Sequence, residues 1–159
     1  MITVAILTVS DSAVSGTRDD LSGPALEQRC KELGWTVAAR AVVPDEQHAI
    51  SARLQQWADT SAASILLTTG GTGIALRDVT PEATRAVLDR EIPGVAELMR
   101  MRGLEQTKFS VLSRAVVGIR RRSLIVNLPG SPRGAVHSLG VVEPVIPHII
   151  DLLEGRTQH

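Results

Sequence analysis

Short apolar runs of strand length, separated by segments with helical spacing, constrain the fold of this chain more than any other feature. The first run, residues 2–9, is apolar almost throughout and rich in β-branched residues, which is typical of a strand buried on both faces of a parallel sheet. Residues 35–43 and 63–69 are similar. Helical spacing over residues 25–33 and 47–59 separates the three runs. This alternation predicts an α/β fold with a mostly parallel sheet.

The second half of the chain predicts more helices and an antiparallel pair of strands. Thr80, Pro81 and Glu82 together form a helix start, with a capping hydroxyl, a proline in the first turn and an acidic residue. Two strand-like runs separated by three arginines predict a hairpin. The predicted elements are helices from Thr80 to about Arg90 and over residues 93–103, strands over residues 114–119 and 123–128, and a mostly helical segment over residues 133–154, interrupted around Gly140.

Size and charge favour one globular domain with a local binding site. We expect a single domain over residues 1–159, with its core over about residues 2–154, because this length buries a substantial core without disulfides or a structural metal. The 17 basic and 17 acidic residues balance, and the chain has only three aromatic residues. Broad electrostatic attraction and base stacking are therefore both weak, and we expect no nucleic-acid binding, even at Arg120–Arg122.

The single cysteine and the N-terminal residues predict a cytoplasmic protein. Cys30 has no intramolecular partner, which favours a reducing compartment. The start of the chain lacks the features of a signal peptide, and we expect no apolar run of the roughly 20 residues needed to span a bilayer, hence no membrane association. The four histidines, at positions 48, 137, 148 and 159, lack metal-ligand spacing, so no zinc site is predicted. Cys30 lies in the middle of a predicted helix and is interpreted as a small core residue, so no thiol nucleophile is predicted either.

The sharpest local motif is the glycine and threonine cluster that follows the third predicted strand. A backbone without side chains lets successive N–H groups approach phosphate oxygens, so the motif predicts a phosphate site; a tight turn between strand and helix is the alternative. It has neither the Gly-Lys-Ser/Thr of a Walker A loop nor the Gly-x-Gly-x-x-Gly spacing of a dinucleotide fold. The motif consists of Gly70, Gly71, Thr72 and Gly73.

Two aspartates are candidate Mg²⁺ ligands beside these glycines. Asp78 follows the motif within five residues, and Mg²⁺ is commonly bound by one or two carboxylates together with phosphate oxygens. Asp45 follows the second predicted strand and therefore lies at the same sheet edge. The alternatives are a loop cap or a partner of Arg77 for Asp78, and a turn residue or helix N-cap for Asp45.

Two further loops end strands at that edge. Ser10 and Asp11 follow the first strand and offer a hydroxyl and a carboxylate, although ordinary turn chemistry also explains them. The Pro129, Gly130, Ser131 turn follows the last strand, and the amides of Ser131 and Gly134 predict a second anion site at the final helix start. Two anion-binding loops suggest a ligand with separated phosphates, or two ligands.

These motifs, taken together, resemble the molybdopterin-binding family of molybdenum cofactor biosynthesis, and within it the molybdopterin adenylyltransferases. Their order and spacing match over nearly the whole chain. The resemblance implies a three-layer sandwich of a mostly parallel sheet flanked by helices, and a homotrimer. The matching motifs are Thr8-Val9-Ser10-Asp11, Ser22-Gly23-Pro24, Pro44-Asp45-Glu46, Gly70-Gly71-Thr72-Gly73, Arg77-Asp78-Val79-Thr80-Pro81-Glu82 and Asn127-Leu128-Pro129-Gly130-Ser131-Pro132.

The resemblance also implies a reaction and roles for residues. The reaction is Mg²⁺-dependent transfer of AMP from ATP to the terminal phosphate of molybdopterin, with release of pyrophosphate. Asp45 and Asp78 match the family's two essential acidic positions, with catalytic and metal-binding roles. The glycine motif matches the loop that binds phosphates in this family. The resemblance also makes a metal-insertion enzyme a candidate partner. The positions that match the lining of the family's pocket are Ser10, Asp11, Ser113, Pro129, Gly130 and Ser131.

One departure from the family and two alternative functions stay open at this point. The family commonly has a glycine in the hairpin turn where this chain has Arg121, which puts the hairpin geometry in question. A protein that binds or carries molybdopterin, or a related phosphorylated pterin, without adenylylating it would show the same binding motifs. Retention of both Asp45 and Asp78 favours the enzyme, because an anionic ligand gains nothing from two added carboxylates. A different nucleotide-using transferase or hydrolase is disfavoured by the absence of kinase and hydrolase motifs.

Overall fold

A computed structural model describes residues 1–157 as a six-stranded sheet with helices on both faces. His159 lies outside the described residues. The first half of the chain contains β1 (Thr3–Val9), α1 (Asp11–Ser15), α2 (Ser22–Glu32), β2 (Thr36–Val43), α3 (Gln47–Asp59) and β3 (Ile65–Thr69). The second half contains α4 (Thr80–Arg85), β4 (Arg90–Glu91), α5 (Pro93–Gly103), a 3₁₀ helix (Lys108–Leu112), β5 (Val117–Arg120), β6 (Ser123–Leu128), α6 (Pro132–Val142), a 3₁₀ turn (Glu143–Val145) and α7 (Ile146–Leu153).

The sheet is mostly parallel, with an antiparallel part at one side. Its strand order is β2-β1-β3-β6-β5-β4, in which the first four strands run parallel. β5 pairs antiparallel with β6, and β4 pairs antiparallel with β5. In register across the parallel part, Ile6 lies beside Leu67, and Leu67 lies beside Val126. The predicted parallel sheet and the predicted hairpin are both confirmed.

Two apolar cores, one on each face, make the fold the three-layer sandwich that the resemblance implied. One core joins strand residues such as Ile6 and Leu67 to side chains of α2, α5, α6 and α7. The other joins Leu7 and Leu66 to side chains of α3 and α4. Successive side chains along a strand point to opposite faces, so a strand buried on both faces reads as a continuous apolar run.

The strand order also fixes where a ligand is expected to bind. β2 lies on one side of β1 and β3 lies on the other, so the connections leaving β1 and β3 diverge at their carboxyl ends. In open α/β sheets this divergence opens a crevice that commonly holds the ligand. The loops after β1, β2, β3 and β6, which contain the predicted site residues, all leave the sheet at this edge.

Some predicted elements were wrong in extent. The helix predicted to run from Thr80 to about Arg90 ends at Arg85, because the chain then enters the edge strand β4. There the Asp89 N–H donates to the Ile119 carbonyl oxygen at 2.8 Å. The strand predicted from residue 114 begins at Val117, and Gly140 does not interrupt α6. The segment after β1 contains the short helix α1, for which the sequence analysis made no prediction.

The hairpin turn forms with Arg121 at the position where the resemblance led us to expect a glycine. This residue has a φ of +53°, in the left-handed region that favours glycine. Its N–H donates to the Asp89 carboxylate at 2.6 Å, and its guanidinium donates to Asp59 at 3.0 Å. These two contacts hold a residue with a side chain in a conformation that a glycine would adopt more easily.

The C-terminal helices form one apolar run that is longer than the sequence analysis allowed. Residues 132–153 span 22 helical residues, and 18 consecutive residues among them have a mean hydropathy of 1.3, so by length and composition alone this run is long enough to cross a membrane. The expectation that no apolar run reaches that length was wrong. Five of its side chains, at helical spacing, are buried against the sheet, which is typical of a core helix: Ala135, Leu139, Val142, Ile146 and Ile150.

Candidate functional site

Residues Gly70–Gly73, named here the glycine loop, pass close to the end of β1. Gly70 has a φ of +104° and Gly71 a φ of +69°, both in the left-handed region. A Cβ atom at Gly70 would lie 2.3 Å from the Val9 carbonyl oxygen. A side chain is therefore excluded there both by the backbone conformation and by the approach of β1. The motif places a bare backbone at the crevice between β1 and β3.

The glycine loop is fixed through its carbonyl groups, while its amides stay available. The four carbonyl oxygens accept hydrogen bonds from Thr80 Oγ1 (2.9 Å), Thr80 N (3.1 Å), Arg114 N (2.8 Å) and Arg114 Nε (2.8 Å), in the order Gly70, Gly71, Thr72 and Gly73. Among residues 1–157, no protein group accepts a hydrogen bond from the N–H of Gly71, Thr72 or Gly73. Backbone N–H donors held in this way suit phosphate oxygens.

Asp45 lies against the first half of this loop. Its Oδ2 accepts a hydrogen bond from the Asp11 N–H at 2.8 Å, and its Oδ1 lies 3.3 Å from where a Cβ of Gly71 would be. Burial raises the pKa of the Asp45 carboxyl above its ordinary value, and the neighbouring charges of Asp11 and Asp78 raise it further. Glu46, not Asp45, occupies the N-cap position of α3, so the capping alternative for Asp45 does not hold.

Asp78 lies against the other end of the glycine loop. Its Oδ2 accepts a hydrogen bond from the Ala75 N–H at 3.0 Å and lies 2.7 Å from where a Cβ of Gly73 would be. The loop-cap alternative is therefore part of its role, and one carboxylate oxygen still has no donor among residues 1–157. Because Asp78 contributes to the raised pKa of Asp45, the two carboxylates sense each other's charge across the loop.

Arg77 pairs with Asp11 and not with its neighbour Asp78. Its guanidinium donates two hydrogen bonds to the Asp11 carboxylate, at 2.8 and 2.9 Å. These hydrogen bonds, together with one from the Asp45 N–H at 3.0 Å, hold the pKa of the Asp11 carboxyl below its ordinary value. The backbone N–H of each of Asp11 and Asp45 thus donates to the carboxylate of the other, and Arg77 neutralises the charge of Asp11.

The loop after β6 lies beside the glycine loop but uses its groups differently. The Pro129 carbonyl oxygen accepts a hydrogen bond from Thr69 Oγ1 at 2.7 Å, and a Cβ of Gly130 would lie 3.3 Å from Gly70 Cα. Ser131 is the N-cap of α6, and its Oγ accepts from the Gly134 N–H at 3.1 Å. The Gly134 amide, which was expected to bind an anion, therefore already donates to the hydroxyl oxygen of Ser131.

Two cavities open on either side of these loops. The larger, about 470 Å³, is lined in part by Gly73, Ser113, Pro129 and Ser131. The smaller, about 360 Å³, is lined in part by Ser10, Asp45, Gly70, Gly71 and Gly130. Asp11, Thr72 and Asp78 line neither cavity. The structure thus places the remaining predicted site residues around two compartments that meet at the glycine loop.

The carboxylates suit a divalent cation that is completed by a ligand. Oδ1 of Asp45 and of Asp78 accepts no hydrogen bond from any residue between 1 and 157. In that range no group of three or more His, Cys, Asp or Glu side chains is placed to hold a metal ion. Mg²⁺ typically takes one or two carboxylates and completes its shell with water and phosphate oxygens, so this donor set fits it.

Sequence reasoning missed Arg114, which donates hydrogen bonds to the carbonyl oxygens of Thr72 and Gly73 in the glycine loop. The only sequence signal is a charged residue at the start of an otherwise apolar run, directly after Ser113. The larger cavity also has three cationic or titratable side chains that were not predicted: Arg100, Arg133 and His137.

Cys30 lies outside both cavities. Burial raises the pKa of its thiol to about 11, so the thiolate needed for nucleophilic attack is scarce at neutral pH.

Comparison with known proteins identifies the family. A family model described as a probable molybdopterin binding domain matches residues 5–148, and the chain belongs to this family. Molybdopterin adenylyltransferase of Helicobacter pylori strain J99 is 42% identical over 98% of this chain and 89% of its own length. The enzyme of that name from Escherichia coli K12 is 38% identical over 96% of this chain and 85% of its own length.

A solved structure agrees with this assignment. The molybdopterin biosynthesis enzyme MoaB from Thermus thermophilus superimposes with a TM-score of 0.92 and 51% identity, over 98% of each chain. The fold and the family that the sequence motifs implied are therefore confirmed. The chain is a molybdenum cofactor biosynthesis protein, and relatives that match it over nearly their whole length are named as nucleotidyltransferases.

Proposed function

We propose that this chain is a molybdopterin adenylyltransferase, which transfers AMP from Mg-ATP to the terminal phosphate of molybdopterin and releases pyrophosphate. One observation carries the proposal: the glycine loop has all its carbonyl oxygens bound by protein donors and its Gly71–Gly73 amides free, with Asp45 and Asp78 at its two ends. One oxygen of each carboxylate accepts a backbone N–H, as in a connecting loop, and the other oxygen has no donor among residues 1–157, which supports a ligand-binding role.

In the proposed reaction a phosphate oxygen of molybdopterin attacks the α-phosphorus of ATP, and the bond between the α-phosphorus and the bridging oxygen to the β-phosphate breaks. The nucleophile is already ionised, so no strong base is required. The protein contributes positioning and charge stabilisation, since two substrates held in the cavities on either side of the glycine loop would meet at its amides.

Asp45 and Asp78 are the residues that would hold Mg²⁺, each through the carboxylate oxygen that no protein donor occupies. The bound ion would neutralise phosphate charge as pyrophosphate leaves. The second oxygen of each carboxylate stays on a backbone N–H, which fixes the orientation of the side chain before the substrates arrive. Asp11, clamped by Arg77, supports Asp45 from behind.

The remaining predicted residues are proposed to line the substrate compartments. Ser10 and Gly130 face the smaller cavity, and Ser113, Pro129 and Ser131 face the larger one. The hydroxyl hydrogen of Ser131 is still available to a ligand, because its oxygen serves as acceptor for the helix cap.

A cytoplasmic homotrimer is proposed as the working form. Large apolar side chains exposed on α5 and the following 3₁₀ helix, such as Met101, Phe109 and Val111, support a subunit contact on that side. Docking of a metal-insertion enzyme on this assembly stays a prediction from the family resemblance.

The test is anaerobic incubation of the purified protein with molybdopterin, ATP and Mg²⁺, following pyrophosphate release and adenylylated pterin. We expect product that depends on both ATP and Mg²⁺. Asp78→Asn should lower turnover by about a hundredfold or more while sparing much of the pterin binding. The matched control is Glu97→Gln, since Glu97 is exposed on α5 and has no side-chain hydrogen bond to another residue between 1 and 157.

The outcomes separate the alternatives. Tight pterin binding by the wild-type protein without turnover would establish the carrier function instead. Absence of pterin binding would exclude both functions. Unchanged turnover in Asp78→Asn would remove the metal-binding role of that residue.

A further inference from the structure

One guanidinium joins the two ends of the exposed segment that follows the glycine loop. Arg114 Nε donates to the Gly73 carbonyl oxygen at 2.8 Å, and one of its terminal nitrogens donates to the Asp78 carbonyl oxygen at 2.6 Å. The other terminal nitrogen forms an ion pair with Glu82 in the first turn of α4. A single side chain therefore sets the distance between the start and the end of residues 73–78.

The segment between these ends has little else to hold it. Residues 74–77 are exposed, and Leu76 is fully so. Two contacts are internal to the segment: the Asp78 N–H donates to the Ala75 carbonyl oxygen at 3.0 Å, and the Ala75 N–H donates to the Asp78 carboxylate. Internal contacts fix the shape of the segment but not its place on the protein, which depends on Arg114 and on the exposed ion pair of Arg77 with Asp11.

Arg114 is itself held firmly, from the side of the larger cavity. Arg100 donates to the carbonyl oxygens of Ser113 and Ala115, the residues on either side of Arg114, at 3.3 and 3.0 Å. Arg100, Ser113 and Ala115 all line the larger cavity, whereas Arg114 lines neither cavity. The wall of the larger cavity is thus connected through Arg114 to the backbone of Asp78.

We infer that Arg114 is a positioning residue, which fixes the backbone of Asp78 so that its carboxylate faces a divalent cation together with Asp45, and which connects this residue to the wall of the larger cavity. The inference rests on the proposed metal-binding role of Asp78. Residues that orient a metal ligand without touching the metal typically change metal affinity or activity by about 10- to 100-fold when they are replaced.

The competing explanation is that Arg114 only stabilises the fold. Glu82→Gln is a matched control for this explanation, because it removes the ion pair and leaves both carbonyl contacts of Arg114 in place. A variant at Arg114 that acts only through stability should therefore change metal binding no more than Glu82→Gln does.

The experiment measures Mn²⁺ binding by electron paramagnetic resonance in the presence of α,β-methylene ATP, together with steady-state turnover and thermal unfolding. For Arg114→Gln we expect Mn²⁺ affinity to fall by about tenfold and the Mg²⁺ concentration for half-maximal rate to rise to match. We expect the KM for molybdopterin to stay within about twofold, and Glu82→Gln to keep wild-type Mn²⁺ affinity. Arg114→Lys, which keeps the charge but not the paired donors, should fall between them.

Arg114→Gln with wild-type Mn²⁺ affinity would overturn the inference, whatever its stability. If Arg114→Gln does not fold, wild-type Mn²⁺ affinity in Arg114→Lys would overturn it in the same way. Failure of the proposed function is recognised separately: it is the absence of adenylyl transfer by the wild-type protein, a result that leaves the comparison of Mn²⁺ affinities intact.

Discussion

The glycine loop after β3 and the turn after β6 lie side by side but have different sets of free donors. Both contain glycine, both follow buried strands, and a Cβ of Gly130 in the turn would lie 3.3 Å from Gly70 Cα in the loop. In the glycine loop the carbonyl oxygens are bound, and the amides of Gly71, Thr72 and Gly73 have no acceptor within the described residues. In the turn, the Gly134 amide is bound by Ser131.

The difference shows what a glycine-rich motif needs in order to bind an anion. Glycine permits the backbone to approach a ligand, but the amides are available to that ligand only if other groups bind the carbonyl oxygens and hold the loop. Thr80 and Arg114, from outside the motif, bind the carbonyl oxygens of the glycine loop. In the turn, a serine within the motif binds the amide instead, and the result is a helix cap.

The largest effect that follows from this comparison is expected for an added methyl group at Gly70. Gly70→Ala requires a left-handed alanine whose Cβ would lie 2.3 Å from the Val9 carbonyl oxygen. We expect a loss of about 3 kcal/mol or more in the free energy of unfolding, and loss of turnover. Urea unfolding and the adenylyl-transfer assay measure the two effects.

The matched variant in the turn is Gly130→Ala. No positive φ is required there, and the added Cβ meets only Gly70 Cα at 3.3 Å, so we expect a loss below about 1 kcal/mol. Equal losses from both substitutions would show that the two loops tolerate a side chain alike, contrary to the comparison.

The second prediction uses the carboxylates, which flank only the glycine loop. Burial raises the pKa of Asp45, so its ionised form is less favourable in the folded protein than in the unfolded chain. That unfavourable contribution is present above the raised pKa and disappears as the pH falls through the ordinary aspartate value. Without Mg²⁺, Asp45→Asn should therefore slightly stabilise the protein at neutral pH, by at most about 1 kcal/mol because solvent screens a partly exposed site.

The same substitution should lower turnover by about a hundredfold or more, so stability and activity are expected to move in opposite directions. Thermal unfolding in the presence of a chelator, at neutral pH and near pH 3, checks the first part, since the stabilisation should vanish at the lower pH. A destabilised Asp45→Asn at neutral pH would mean that its contact with the Asp11 N–H outweighs the relief of charge.

The sequence predicted the sheet and the position of the candidate site residues at one of its edges, because both depend on local patterns. The continuous apolar run over Thr3–Val9 identifies a buried strand, and the helix over Gln47–Asp59 was predicted with the same bounds. The two aspartates were placed at one edge from strand direction alone. These inferences need only the periodicity of side chains and the topology of parallel strands.

What the sequence did not predict depends on contacts between distant residues. The two residues of β4 are a strand only because β5 lies beside them, and Arg114 matters only because the fold brings it to Gly73 and Asp78, 41 and 36 residues away. The pairing of Arg77 with Asp11, 66 residues apart, is of the same kind. The Ser131 cap is a local contact that was missed for another reason: Ser131 followed by Pro132 is typical of a helix N-cap, but its amide and that of Gly134 were interpreted as an anion site.

The smallest effect is expected for Ser131→Ala, which tests the turn side of the comparison. Loss of the cap should reduce the free energy of unfolding by about 1 kcal/mol, because the Gly134 amide then lacks an acceptor. If the turn acts mainly as a helix cap, only one neutral hydrogen bond to substrate is lost with the hydroxyl, and the KM for the affected substrate should rise by no more than about tenfold. A hundredfold rise with little change in stability would instead make this turn a phosphate site comparable to the glycine loop. Urea unfolding and steady-state kinetics on the same preparation separate the two, since a cap acts on stability and a ligand contact acts on KM.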